Sequence, residues 1–177
     1  MNPLGGILLS PDIHHLDHLA PLCSLLEIPL IVSTQEQQRL AALYYPELII
    51  RPLESAETIV KEYDRLITTA PRALFDRTFF FAQHLLGKEI KTLWLPHGNS
   101  DKGRESPFME GLREEETLLV YGPLMEAFLK EKGVIGQPIT IGNYRLAYFE
   151  QHRSFYESHL PPLRKMPTLL WAPTWVD

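Results

Sequence analysis

Short apolar, β-prone runs alternate with helical segments along this chain, and that alternation constrains the fold more than any other feature. The strand candidates are residues 6–9, 28–33, 48–50, 73–75, 92–95, 118–121 and 139–145. Between them lie segments with helical spacing. Leu19, Leu22, Leu25 and Leu26 share one face, Thr34 suits an N-cap for 35–45, and Ser55 suits one for a helix carrying Ile59, Tyr63, Leu66 and Ile67. Phe79, Phe80, Phe81, Leu85 and Leu86 predict a buried helix closed by Gly87; Gly133 closes another over 124–132. A last helix over 146–159 stops at Pro161 and Pro162. Strands separated by helices form βαβ units, so the expected fold is α/β: a Rossmann-like three-layer domain with a mostly parallel sheet.

The residues over 92–103 carry the clearest chemical signal. Thr92, Leu93, Trp94 and Leu95 read as a buried strand, and Pro96 ends it because it has no N–H to donate. His97 then stands at the strand's carboxyl end, and Gly98 allows a sharp turn or close approach to a ligand. In open α/β sheets the ligand crevice lies outside the carboxyl ends of the strands. An imidazole there can act as a general base near neutral pH. Lys102 can neutralise an anion such as phosphate. The plainer reading is a polar loop with an incidental histidine.

The 177 residues suffice for one domain with a real core, and 45% hydrophobic with 22% charged residues is ordinary for a soluble globular protein. A formal charge of −5 argues against a broad nucleic-acid footprint. Cys23 is the single cysteine, which excludes an intrachain disulfide and fits a reducing compartment. No basic region precedes the apolar residues of 1–10, and no apolar run approaches the ~20 residues of a membrane helix. The expectation is a cytoplasmic protein without a transmembrane segment.

His14 and His18, four apart, would share a helix face, with Asp17 nearby. A structural zinc site wants four ligands, and no further ligand is close in sequence, so no metal is expected. The pair reads as a polar loop and helix start at the crevice edge, where one of them could touch a substrate. His84 reads as a satisfied, partly buried histidine. The charged run over 104–116 is either a functional or a solvated loop.

The strand, His97-Gly98, a short polar run and Lys102 together resemble the signature of the CDP-glycerol glycerophosphotransferase family. Those enzymes are similar to GT-B glycosyltransferases and build teichoic-acid-like cell-envelope polymers. Two later stretches agree. Gly142 and Arg145 match a Gly-x-Pro-Arg-x-Asp element, with Tyr144 in place of the proline and Ala147 in place of the aspartate, so any role of that acid is absent. Arg145 is then either a phosphate contact or a surface ion-pair former. Ala172-Pro173-Thr174-Trp175-Val176-Asp177 resembles an Ala-Pro-Thr-Trp-Arg-Asp element, with Val176 in the arginine's place.

The resemblance implies an acceptor-side domain over 1–163, with 164–177 a linker and the start of a second domain. It implies His97 as the catalytic base, with Gly98, Ser100, Lys102 and Arg145 binding substrate or phosphate, and no cofactor or metal. The acceptor would carry a hydroxyl, with or without a phosphate, and peripheral contact with the inner face of the membrane stays open. No G-x-G-x-x-G or G-x-x-x-x-G-K fingerprint occurs, so the nucleotide-activated donor is expected to sit on a missing domain or a second chain. The chain alone is then not an active transferase. The alternative is a non-catalytic Rossmann-like binding or assembly module.

Overall fold

The computed structural model describes residues 3–97, 112–134 and 136–160. Seven strands form one sheet: β1 (Leu4–Leu8), β2 (Leu30–Val32), β3 (Ile50–Pro52), β4 (Arg65–Thr68), β5 (Lys91–Trp94), β6 (Thr117–Val120) and β7 (Gln137–Thr140). Their order is β3-β2-β1-β4-β5-β6-β7, and every neighbouring pair is parallel. The chain starts mid-sheet, winds outward to β3, returns to β4 beside β1, and winds outward to β7. That reversal makes a topological switch point between β1 and β4. Because all seven strands run one way, all seven carboxyl ends lie along one edge.

Helices cover both faces: α1 (Leu16–Leu25), α2 (Gln35–Tyr44), α3 (Ala56–Glu62), α4 (Asp76–Leu86), α5 (Pro123–Glu131), α6 (Tyr144–Gln151) and α7 (Arg153–His159). Alternation along the strands divides the core. Leu8, Leu30, Val32, Ile67, Leu95 and Leu119 face one layer with Leu16 and Leu19 of α1, Ala41 of α2, and Tyr144 and Tyr148 of α6. Their neighbours Ile7, Ile31 and Leu66 face the other layer with Ile59 and Val60 of α3 and Ala82 of α4. Trp94, Leu118 and Val120 pack with Leu129 of α5. The result is a three-layer, Rossmann-like α/β domain, as the alternation predicts.

Gly6 sets how closely α1 approaches this sheet. A Cβ there would run into the Cys23 sulfur and meet Leu30 Cδ1 at 3.3 Å and Leu19 Cγ at 3.5 Å. The caps follow the sequence. Thr34 and Gln37 form a reciprocal capping box on α2, the Ser55 side chain accepts from the Thr58 N–H on α3, and Gly87 ends α4 in the left-handed region at φ 60°.

Several expected elements differ. Leu66 and Ile67 do not continue a helix from Ile59; α3 stops at Glu62 and they form β4. Residues 73–75 belong to the 3-10 helix Arg72–Phe75, not to a strand. Helix α4 is amphipathic rather than buried: Phe80 is 62% exposed and Leu85 64%. His84 is exposed, its ring against Phe80 at 4.2 Å between centroids. The strand expected over 139–145 is β7 and ends at Thr140; Tyr144 and Arg145 open α6. The last expected helix is two helices, α6 and α7, broken at His152. Residues 98–111 and 161–177 lie outside the described residues, so Gly98, Ser100, Lys102 and the stretch 172–177 do too.

Candidate functional site

The candidate side chains lie on the turns and helix starts that follow the strands, and so stand along the carboxyl edge. The turn after β1 leads into the 3-10 helix Ile13–His15, the turn after β4 carries Thr69, and His97 follows β5. Tyr121 follows β6, and Arg145 comes shortly after β7. The Leu95 N–H donates to the Thr68 carbonyl at 2.8 Å, which extends the β4–β5 ladder one residue toward His97. Gln37, fully buried, donates to the Ser10 carbonyl at 2.5 Å and accepts from the Ser33 and Thr34 N–H groups. One side chain thereby fixes the turn after β1 to the turn after β2.

Three histidines meet at this edge. His14 and His15 ring centroids are 4.3 Å apart, His15 and His97 4.6 Å, and His14 and His97 5.7 Å. Their ligating nitrogens all lie within 4.8 Å of one another. His15 Nδ1 is 2.7 Å from the Thr69 hydroxyl, which holds that ring against β4. His14 is exposed and His15 intermediate. Burial, and then the His97 and His14 charges, push His15 down to about 4, against an opposing pull from Asp12. His97 is lowered by burial and by His14, again opposed by Asp12. A cluster of imidazoles resists protonation because each new charge repels the others.

The sequence pairs His14 with His18 on one helix face, but the structure separates them. His14 lies on the 3-10 turn before α1 and turns to His97, while His18 lies in α1 with its Nδ1 3.3 Å from the Tyr121 hydroxyl. Burial, then Arg145 and the other histidines, push His18 down to about 4.

Beside the cluster opens a cavity of about 760 Å³ whose lining includes Asp17, His18, Tyr45, Tyr121, Arg145 and Tyr156. That size is within the range of small-molecule sites. The Tyr45 hydroxyl donates to Asp17 Oδ1 at 2.5 Å, and the Tyr144 hydroxyl donates to the His18 carbonyl at 2.9 Å. Tyr121 stacks on Tyr144 at 5.8 Å and 4°. Burial and the Asp17 carboxylate push the Tyr45 phenol up. The cavity thus combines aromatic walls with one guanidinium and one carboxylate, features suited to a polar ligand with an apolar face.

Of the residues named from sequence, His14 and His97 fall within the histidine cluster, and His18 and Arg145 on the cavity beside it. His15, Thr69, Tyr45 and Tyr121 carry no motif. Their only signal is position just after an apolar run, or helical spacing among aromatic residues.

No protein-family model matches the chain, and no curated protein matches it.

Proposed function

We propose that this domain is the acceptor-side half of a glycerophosphotransferase or glycosyltransferase that uses a nucleotide-activated donor, similar in kind to the CDP-glycerol glycerophosphotransferases. The observation that carries the reading is the placement of His97: it follows β5 after Leu95 and Pro96, at the carboxyl edge where α/β sheets bind ligands, against His15 from the turn after β1. In this reading an acceptor hydroxyl oxygen forms a bond to the donor phosphorus, or to an anomeric carbon. The bond from that atom to the nucleotide leaving group breaks, and the hydroxyl proton passes to His97. Lys102 and Arg145 neutralise phosphate charge, and Gly98 and Ser100 contact the substrate. The donor-binding half comes from another domain or chain, in keeping with the missing glycine-rich phosphate fingerprints.

A second reading, a non-catalytic Rossmann-like binding module, is favoured by one observation: the aromatic cavity is formed without His97 among its lining residues. Product formation from a nucleotide-activated donor and a polyol-phosphate acceptor separates the two. It is measured with the chain alone and with the chain joined to its donor half. The transferase reading expects product only in the second case. Ligand binding without turnover in either case supports the module.

A further inference from the structure

We propose that His14, His15 and His97 form a site for one divalent transition metal of the zinc and cobalt class. The three ligating nitrogens already lie within 4.8 Å of one another. Zinc–nitrogen bonds of about 2.0–2.1 Å place tetrahedral neighbours roughly 3.4 Å apart, so closing the cluster asks for nitrogen shifts of about 1 Å. His14 is exposed and can swing. His15 is fixed: the Thr69 hydroxyl engages its Nδ1 at 2.7 Å and leaves Nε2 for a metal. A hydrogen bond to the second ring nitrogen is the usual way a ligating histidine is oriented.

The chemistry of the donor set selects the ion. Three imidazoles suit zinc, cobalt, nickel or copper and are poor ligands for magnesium or calcium. Three protein ligands leave a fourth position open, the arrangement of a metal that also meets an exogenous group. The third ligand is far from the first two in sequence, and only the lateral order β1-β4-β5 brings His97 to the turn after β1. This site goes beyond the transfer chemistry proposed above, and its binding does not depend on it. A metal would occupy a lone pair of His97 that the transfer reading needs, so the loaded form would be the blocked form.

The test is a titration of the purified, chelator-treated chain with Co²⁺ near pH 7.5, followed by visible absorption and calorimetry. The expected result is one ion per chain, with ligand-field bands of a nitrogen-rich site, displaced by Zn²⁺. His14→Ala, His15→Ala and His97→Ala should each weaken binding by at least about tenfold, Thr69→Val by about 10–100-fold, and His84→Ala not at all. His14 is exposed, so its variant remains informative even if the more buried positions fail to fold; circular dichroism checks each. Absence of saturable binding up to millimolar metal, or equal binding by wild type and His14→Ala, overturns the proposal. Both results leave the transferase reading standing, since that is judged by product formation without added metal.

Discussion

Gly6→Ala tests whether the missing side chain at Gly6 is what lets α1 seat so closely on the sheet. The added Cβ would overlap the Cys23 sulfur, with Leu30 and Leu19 behind it at 3.3 and 3.5 Å. Cys23, Leu19 and Leu30 are all fully buried, so nothing can give way into solvent. Overpacking of a filled core costs about 1–3 kcal/mol, against which replacing glycine returns about 0.4–1 kcal/mol through the unfolded chain. The net expectation is a loss of about 1–2 kcal/mol. Cys23→Ala alone removes one buried sulfur and costs about 1 kcal/mol. In the double variant the methyl enters the space the sulfur left, so the two losses should fall short of their sum by about 1 kcal/mol or more. Urea unfolding of the four proteins closes the cycle. Additivity within about 0.5 kcal/mol would refute the argument, because it would mean the two groups do not compete for the same space.

Two further expectations follow from buried polar groups. The Glu115 carboxylate, 2% exposed, accepts from the Arg72 N–H at 2.6 Å and from the Thr92 hydroxyl at 3.3 Å. Glu115→Ala leaves the buried Thr92 hydroxyl and the half-buried Arg72 N–H without their acceptor and should cost about 2–3 kcal/mol in thermal or urea unfolding, whereas a loss under 0.5 kcal/mol would count against it. His18 is pushed down to about 4 in the fold by burial and by Arg145, below the ordinary 6.5 of the unfolded chain. Between those values the unfolded chain binds the proton and the native protein does not, so stability is complete above pH 6.5 and falls as pH drops toward 4. One pKa unit is about 1.4 kcal/mol, and solvent screening reduces the contribution of this histidine to about 1–2 kcal/mol. His18→Gln should flatten that part of the pH–stability curve, and an unchanged slope would contradict the assignment.

The layering was legible because strand and helix periods differ and because both sheet faces are covered. Leu8 and Ile7, or Ile67 and Leu66, are both apolar since each meets its own helical layer. The same property hid β4. A seven-residue helix followed closely by a buried strand leaves Ile59, Tyr63, Leu66 and Ile67 at helix-like intervals, and only Asp64 and exposed Arg65 mark the break. Residues 73–75 look like a strand because they are apolar, yet Pro71 opens a 3-10 turn there and Phe75 alone is buried.

His97 was legible as a strand-end residue since Pro96 fixes where the ladder stops. Its partners were not. His15, itself held by Thr69, reaches it through the lateral order β1-β4-β5, which local periodicity does not encode. The tyrosine wall is in part packing: Tyr148 is a core residue that also lines the cavity, and Tyr144 is a core residue behind Tyr121.

The most direct test of the proposed function is the rate of acceptor-dependent donor consumption by the domain joined to its donor half, with His97 intact and with His97→Ala. The measurement is made at saturating acceptor, so that a loss of binding is not mistaken for a loss of chemistry. If His97 takes the acceptor proton, the variant should be slower by about two orders of magnitude or more, the usual scale of a lost general base, with acceptor affinity little changed. A variant that turns over as fast as wild type would contradict the assignment of His97.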